Sequence, residues 1–483
     1  MNYKIVFYTI GQILKVMGLL VLLPMFVAIG YGEAFLPYIY TAIIFLGLGF
    51  ITAFKKPKDS NMYSKEAIVS IGLAWILISL IGALLYIFSG AIPRYIDAFF
   101  ELVSGITTTG ATILTDIESL PKGVLFYRNF TVWIGGMGIL VFILALMPSA
   151  DKGGLQLLRA ESPGPNVSKM TSKLSTTARI LYGIYFGLTL LEFIILLIGG
   201  VGWFDASTLS FATAGTGGFA PTNASIASYN SLFVEIVITV FMFIFSINFS
   251  VYFLILVGKG LTAIKNEELW TFVGIFFLSI ILISLNISST VGGFWNALRY
   301  ASFEVSSATS STGFAVADYN TWPAFSQTLL VVLMMIGGCA GSTAGGLKVA
   351  RLVGLTKGSY VKTRQVLNPR KVYSVKIDGK PQDESYIGSL FFYLTVYMAI
   401  LFLFTILVSL DKQMDFASSF SACVATFNNS GPGIGVVGPM NNYGALGVGT
   451  KLALSGLMLI GRLEIFPIII LFLPSTWRRV NNG

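Results

Sequence analysis

A short pattern of hydroxyl residues followed by glycine occurs four times, each time between long apolar runs. The first is Thr107-Thr108-Thr109-Gly110-Ala111-Thr112. Altered versions follow at Ala214-Gly215-Thr216-Gly217-Gly218-Phe219, at Ser310-Ser311-Thr312-Gly313-Phe314 and, most divergent, at Asn428-Asn429-Ser430-Gly431-Pro432-Gly433. Each stretch holds the same place relative to its flanking runs. Four loops in matched positions point to one site assembled from all four.

The flanking runs set the class. Of 483 residues 55% are hydrophobic and only 11% charged. Many runs reach the roughly 20 residues that a helix needs to cross a bilayer, and the short alternating strands of a β-barrel are absent. The chain reads as an all-α polytopic membrane protein. No small-residue cleavage site follows the first span, so it reads as retained. With no histidine at all, His-based proton relays, His-metal sites and Ser-His-Asp catalysis are excluded. Cys339 and Cys423 are isolated and read as small buried residues rather than a zinc cluster or a disulfide framework.

The net charge of +9 is topology, not a nucleic-acid footprint. Basic residues concentrate in Lys55 to Lys65, Lys152 to Arg179, Lys259 to Lys265, Lys348 to Lys380 and Arg478-Arg479. The alternate loops hold only Arg94, Lys122, Arg128, Arg299, Lys412 and Lys451. The positive-inside rule puts the first set in the cytoplasm and the second outside. Both termini are then cytoplasmic, in a bacterial-type inner membrane with lipid around the chain.

Two N-terminal spans, about 8–30 and 36–54, make up residues 1–60. A unit then recurs: apolar span, short segment with the glycine stretch, second span. The spans are about 66–90 and 128–148 (unit 61–150), 177–201 and 230–257 (151–265), 269–288 and 324–350 (266–356), and 386–410 and 449–474 (357–483). Ten to twelve membrane helices are expected, with twelve favoured on length. An even number of spans per unit gives every unit the same orientation, a parallel repeat. Such units close most simply around a pseudo-fourfold pore. Asp97, Asp205, Asn296 and Asp415 read as N-caps of the segments before the glycine stretches. At about a dozen residues these segments are too short to span and read as re-entrant half-helices. Their C-terminal ends would favour a cation on the axis. Glu101 and Glu304 each precede their glycine, Gly110 or Gly313, by nine positions.

A cation filter needs carbonyls aimed inward in place of the ion's water. Glycine permits the necessary φ values, and hydroxyls tie the loop to its helix. The expected lining is Thr108, Thr109 and Gly110; Gly215, Thr216 and Gly217; Ser311, Thr312 and Gly313; and Asn429, Ser430 and Gly431. The second stretch offers two glycines. Counting from Asp205 aligns Gly218 with Gly110, whereas the preceding Thr favours Gly217, and Gly217 is preferred. One such tetrapeptide alone would be ordinary helix packing; four in register argue for a filter. No Asp or Glu lies in the stretches. Neutral carbonyls suit a weakly hydrated monovalent ion: potassium fits best, with rubidium and ammonium accepted by the same cage and no organic cofactor required.

Deeper in the membrane, Gly337, Gly338, Gly341, Gly345 and Gly346 fall within ten residues. That run reads as an irregular intramembrane gate loop, set against a close-packed helix seam. Arg462 lies about 13 residues into its span, roughly 20 Å along the helix. It reads as a pore charge beneath the filter, set against a pair with Glu464 or snorkelling. The polar connections 151–179, broken at Pro163-Gly164-Pro165, and 354–385 are cytoplasmic. The second carries a hairpin signal, Val372 to Ile377 followed by Asp378-Gly379. Either connection is a plain solvated face or a docking surface for a soluble partner.

On these residues the chain resembles the TrkH-type potassium transporters of the Trk/Ktr superfamily, over nearly its whole length. The resemblance rests on TTTGAT at 107–112, TGGF at 216–219, STGF at 311–314, NNSGPG at 428–433, GGCAGSTAGGLK at 337–348 and GRLEIFP at 461–467. The two extra N-terminal spans favour the TrkH branch over the shorter KtrB branch. The resemblance implies four M1–P–M2 repeats related in architecture to potassium channels, one filter per subunit and a homodimer. It implies that Gly110, Gly217, Gly313 and Gly431 are the filter glycines, that 337–346 is the gate and that Arg462 lies in the pore. It also implies a cytosolic ring of nucleotide-binding TrkA-type subunits as partner. The expected function is potassium uptake. A sodium- or proton-coupled symporter on the same scaffold is the close rival. An intramembrane enzyme is the distant one, for Arg462 and Glu464 beside Thr-Gly loops lack a suitable base.

Overall fold

The computed structural model describes residues 1–57, 62–138, 174–371 and 373–477. Lys58, the end of the first unit's second span at 139–148, the basic stretch 151–173 with Pro163-Gly164-Pro165, Val372 and Arg478-Arg479 lie outside the described residues.

The N-terminal hairpin is α1 (Tyr3–Leu20), α2 (Leu22–Gly30) and α3 (Leu36–Thr52). Pro24 lacks an N–H and crowds the carbonyl four residues back, which accounts for the break at Val21 between α1 and α2. Small residues let α1 and α3 approach closely. A methyl group added at Gly11 would lie 2.5 Å from Thr52 Oγ1 and 2.6 Å from Ala53 Cβ.

Four times a long apolar helix is followed by a short one, a glycine stretch and a further helix. The first set is α4 (Ser64–Gly82) with α5 (Leu84–Phe88), then α6 (Tyr95–Ile106) and α7 (Lys122–Gly136). The second is α8 (Leu174–Ile198), α9 (Trp203–Gly215) and α10 (Leu232–Phe245), with α11 (Phe249–Leu256) and α12 (Gly260–Ile264) beyond. The third is α13 (Glu267–Ile287), α14 (Phe294–Ser310), α15 (Ala324–Ile336) and α16 (Val349–Leu367). The fourth is α17 (Glu384–Val408), α18 (Phe416–Phe427) and α19 (Val448–Arg462), followed by α20 (Phe466–Phe472) and α21 (Pro474–Trp477).

Among the described residues, five helices are long and apolar enough to cross a membrane, or seven if each bent pair is one span. This is a multi-pass helical membrane protein, but with fewer straight spans than the twelve expected. The runs 230–257 and 449–474 are not continuous helices. α10 and α11 meet at 88°, and α19 and α20 at 119°. α15 stops at Ile336, where the glycine run begins.

Two smaller expectations shift. Asp97, Asp205 and Asn296 sit at the third position of α6, α9 and α14 rather than at the cap, because each helix starts earlier. Two of the three still place an acid by the helix's positive end. Asp415 is a true N-cap, accepting from the Ser418 N–H at 2.8 Å. Hydrogen bonds from the Ser418 side chain and backbone hold the Asp415 carboxyl below the usual carboxylate range. The hairpin forms as a two-residue antiparallel pair, Lys376 opposite Pro381 and Ile377 opposite Lys380. Asp378 and Gly379, both at positive φ, make its turn.

Gly11→Leu would drive α1 from α3. The expected loss is about 1–3 kcal/mol, read as a lower thermal unfolding midpoint of the purified protein in detergent.

Candidate functional site

The site begins where α6, α9, α14 and α18 end. Thr108, Thr216, Ser311 and Asn429 lie in the left-handed region, with φ of 57°, 54°, 56° and 53°. The following N–H reaches back to the carbonyl five residues earlier in every case. These bonds are Thr109 to Ser104 (2.8 Å), Gly217 to Ala212 (2.9 Å), Thr312 to Ser307 (2.9 Å) and Ser430 to Ala425 (2.7 Å). This closure normally uses glycine in the left-handed position, and for threonine that conformation is a real outlier. Two residues after each left-handed residue comes a glycine at positive φ: Gly110 (81°), Gly218 (50°), Gly313 (83°) and Gly431 (86°).

This backbone register corrects the choice made in the second stretch. Gly218, not Gly217, holds the place of Gly110; Gly217 stands where the other loops carry Thr109, Thr312 and Ser430. Thr216 tolerates the left-handed position without being glycine, so a Thr-Gly pair does not mark the same register in all four loops. Gly215 is the last residue of α9 and packs against α7, where a methyl group would lie 2.5 Å from the Val132 carbonyl.

The four loops contact one another in cyclic order. A methyl group added at Gly110 would strike the carbonyl of Gly217, one at Gly218 that of Thr312, one at Gly313 that of Ser430, and one at Gly431 that of Thr109. All four separations are 2.7 Å or less. Each glycine is thus required by the residue before the glycine of the next loop, and the fourth returns to the first.

The chain beyond each glycine is latched from behind. Three residues on, the N–H of Ile113 donates to Glu101 (2.9 Å), that of Val316 to Glu304 (2.9 Å) and that of Ile434 to Ser421 Oγ (2.8 Å). In the second loop this residue is Pro221, which has no N–H to satisfy. The helix position that holds Glu101 and Glu304 is accordingly Leu209 there. Glu101 also accepts from Arg128 Nε at 2.6 Å, with both side chains no more than 1% exposed. Arg128, which the charge pattern places in an outer loop, lies within α7. Its guanidinium donates to the Ala220 carbonyl at 3.2 Å and stacks 3.4 Å from the Phe219 ring centroid, tying the first loop to the second. Arg299 and Lys451, of the same charge set, lie in α14 and α19. They pair with Glu235 and Asp97, at 2.5 Å and 2.6 Å.

Below the loops, residues 337–348 leave helical geometry. Their base is closed by Leu347 N–H to Met335 O (2.9 Å), Lys348 N–H to Ile336 O (2.9 Å) and Val349 N–H to Gly338 O (3.0 Å). Gly337, Gly341 and Gly346 have positive φ. Gly338 packs on Ala344 and Ser246, and Gly345 on the Asn428 carbonyl. The break between α10 and α11 receives this segment, with Cys339 N–H to Ser246 O (2.9 Å) and Phe249 N–H to Gly341 O (3.0 Å). Its tip reaches the glycine loops: Thr216 Oγ1 donates to the Thr343 carbonyl (2.9 Å), and Ser311 Oγ accepts from the Gly345 N–H (2.5 Å). Two of the four left-handed residues, Thr216 and Ser311, therefore contact the intramembrane loop directly. At the fourth corner Asn429 donates to Thr109 Oγ1 and to the Met458 carbonyl, each at 3.0 Å.

Arg462, the last residue of α19, donates to the Thr343 carbonyl (3.1 Å) and to the carbonyls of Gly135 and Gly136 at the end of α7. It bridges the glycine-rich segment and the first set of helices. Glu464, weighed as its local partner, instead pairs with Arg351 of α16. Sequence reading also missed Glu268, which accepts from the N–H groups of Ala340 (2.5 Å) and Ala350 (3.1 Å) and so ties the segment to the start of α16.

Long apolar helices around buried polar loops define a multi-pass membrane protein. The profile of the TrkH family, described as a cation transport protein, matches residues 34–267 and 252–479. The Trk system potassium uptake protein TrkH of Escherichia coli (strain K12) is 36% identical, over 96% of this chain and 99% of its own length. TrkG of the same organism is 32% identical over 99% of both. The crystal structure of the potassium transporter TrkH from Vibrio parahaemolyticus superposes with a TM-score of 0.89 at 30% identity, covering 99% of this chain and all of that one. The chain belongs to the TrkH family. Membership points to a transporter rather than an enzyme.

Arg128→Leu would leave the Glu101 carboxylate buried without its cation, at an expected cost of about 3–5 kcal/mol. Replacing both partners, Glu101→Gln with Arg128→Met, is expected to cost clearly less. Thermal unfolding midpoints of the three proteins in detergent check the difference.

Proposed function

We propose that the protein takes up potassium across a bacterial-type inner membrane, through a filter formed by its four glycine loops. In this reading residues 61–150, 151–265, 266–356 and 357–483 are four M1–P–M2 repeats about a pseudo-fourfold pore, after the N-terminal hairpin of residues 1–60. The observation that carries it is the cyclic contact of each glycine with the carbonyl before the next. A ring closed in this way brings four equivalent carbonyl-bearing turns to one axis. An ion there would shed water against Thr108 to Gly110, Thr216 to Gly218, Ser311 to Gly313 and Asn429 to Gly431. These residues carry no formal charge, which suits potassium or rubidium rather than a divalent ion.

The segment 337–348 and Arg462 act as the gate. The guanidinium sets a positive charge beneath the filter, and its bonds to Thr343, Gly135 and Gly136 hold the segment across the path. Opening requires those bonds and the Ser311–Gly345 bond to be released together. The basic helix α16 continues directly from the gate segment and suits a cytosolic partner such as a TrkA-type nucleotide-binding ring; a second copy of the chain completes the assembly the family resemblance implies. Coupled symport remains the second reading because of Glu192. Its side chain is fully buried in α8 beside Thr213 and has no cation paired with it among the described residues, and an intramembrane acid is the usual means of coupling flux to a proton.

Rubidium uptake into liposomes containing the full-length protein, driven by a potassium gradient, tests the reading. Uptake is expected to be blocked by external potassium and not by sodium. Gly313→Ser, which pushes a side chain into the Ser430 carbonyl, is expected to reduce that preference by at least about tenfold. Arg462→Ala is expected to raise basal flux. Wild-type selectivity in Gly313→Ser, together with unaltered flux in Arg462→Ala, would sink the proposal.

A further inference from the structure

Tyr443 lies in the connection between the fourth glycine loop and α19, buried between the fourth and first loops. Its N–H donates to the Thr112 carbonyl at 2.8 Å. Its ring packs against Phe100 of α6, with centroids 5.5 Å apart. Its hydroxyl donates to the Gly431 carbonyl at 2.7 Å. Among the described residues, Gly431 is the only one of the four loop glycines (Gly110, Gly218, Gly313, Gly431) whose carbonyl is held by a side-chain hydroxyl.

The donor stands in the protein wall, anchored on the first loop by its own backbone, so the bond draws the Gly431 carbonyl toward that wall. We propose that Tyr443 is a specificity-determining residue: it withdraws one of the four glycine carbonyls from the ion and leaves three to face it at that level. The inference rests on the filter reading above. A hydrogen bond between buried groups is costly to leave unmade, so a passing ion does not readily reclaim the oxygen. Discrimination between potassium and sodium depends on how many carbonyl dipoles coordinate and how strong their field is. A level with three free carbonyls holds a dehydrated ion less tightly and discriminates less than one with four. The fourth loop is built to carry this departure. Pro432 follows Gly431 and restricts the glycine's backbone, and its ring packs where the third loop's Gly313 leaves room.

The test uses full-length protein in liposomes, with sodium competing against rubidium uptake. Tyr443→Phe removes only the hydroxyl and keeps the ring against Phe100. It is expected to free the Gly431 carbonyl, so that sodium competes about three- to tenfold less well and half-saturating rubidium falls. A residue serving only to support the loop would give the reverse, weaker rubidium binding and stronger sodium competition. That result, or no change, overturns the inference. Gly313→Ser run alongside separates the two failures. If it loses selectivity while Tyr443→Phe does not change, the filter stands and Tyr443 is not a determinant. If neither variant alters competition, the filter reading falls and takes the inference with it.

Discussion

A backbone that leaves helical geometry inside a bilayer must find partners for its own N–H and C=O groups, because lipid offers none. Everything unusual in this chain follows from doing so four times at one level. Each of α6, α9, α14 and α18 stops with a left-handed residue that is not glycine. Such a residue costs about 1–2 kcal/mol, and glycine would remove the cost. It would also remove the side chains that Thr216, Ser311 and Asn429 use to reach Thr343, Gly345 and Met458. A buried hydrogen bond contributes about 0.5–1.5 kcal/mol, which offsets the strain. In the second and third loops the strain is therefore held in check by contacts with the segment underneath, and in the fourth by a contact with α19. The glycine loops and the intramembrane segment stabilise each other.

Arg462 belongs to the same account. α7 ends at Gly136 and α19 at Arg462, and a helix terminus leaves carbonyls without intrahelical partners. A guanidinium offers five donors in a planar fork, enough to serve Gly135, Gly136 and Thr343 together. Removing it would leave the carbonyls of Thr343, Gly135 and Gly136 without this donor. Just beyond it the chain makes a γ-turn, Phe466 N–H to Glu464 O at 2.7 Å, with Ile465 at φ 69°. A β-branched residue adopts this conformation only under tertiary constraint. The turn sends α20 off at 119° to α19, and Glu464, carried round with it, meets Arg351 of α16.

How much of this the sequence disclosed depended on whether the geometry demanded a particular residue. Glycine at positive φ against a neighbouring carbonyl admits nothing else, so Gly110, Gly313 and Gly431 left a legible trace. So did the glycine run at 337–346 and the Asp378-Gly379 turn. Gly217 and Gly218 are ambiguous because the second loop has glycine also at the position where the other three loops carry a side chain, Thr109, Thr312 or Ser430. The breaks after Phe245 and Arg462 were hidden. Their flanks are apolar enough to read as continuous spans across Ser246-Ile247-Asn248 and across Gly461 to Pro467, and the partners that compensate the lost helical bonds, such as Gly341 for the Phe249 N–H, lie far away in sequence. Arg128, Arg299 and Lys451 have a role that charge pattern does not disclose, for a related reason. Charge pattern reads a cation as marking a loop, whereas these three are paired with carboxylates on other helices.

The four loops share a backbone but not a chemistry, and the position three residues after each glycine shows why this is permitted. Its N–H must be satisfied in the protein interior. Two loops use a helix glutamate, one uses Ser421, and one dispenses with the donor by using Pro221. A symmetric assembly of identical chains would have to adopt one solution four times. Here each loop is encoded separately, so only the features that all four need in common, the left-handed helix end and the glycine against its neighbour, are constrained to recur. The Glu101 solution brings a buried charge, which requires Arg128, and Arg128 in turn grips Ala220 and Phe219 of the next loop. Difference between the loops is thus itself a source of attachment: the charge that one loop needs becomes the brace of another.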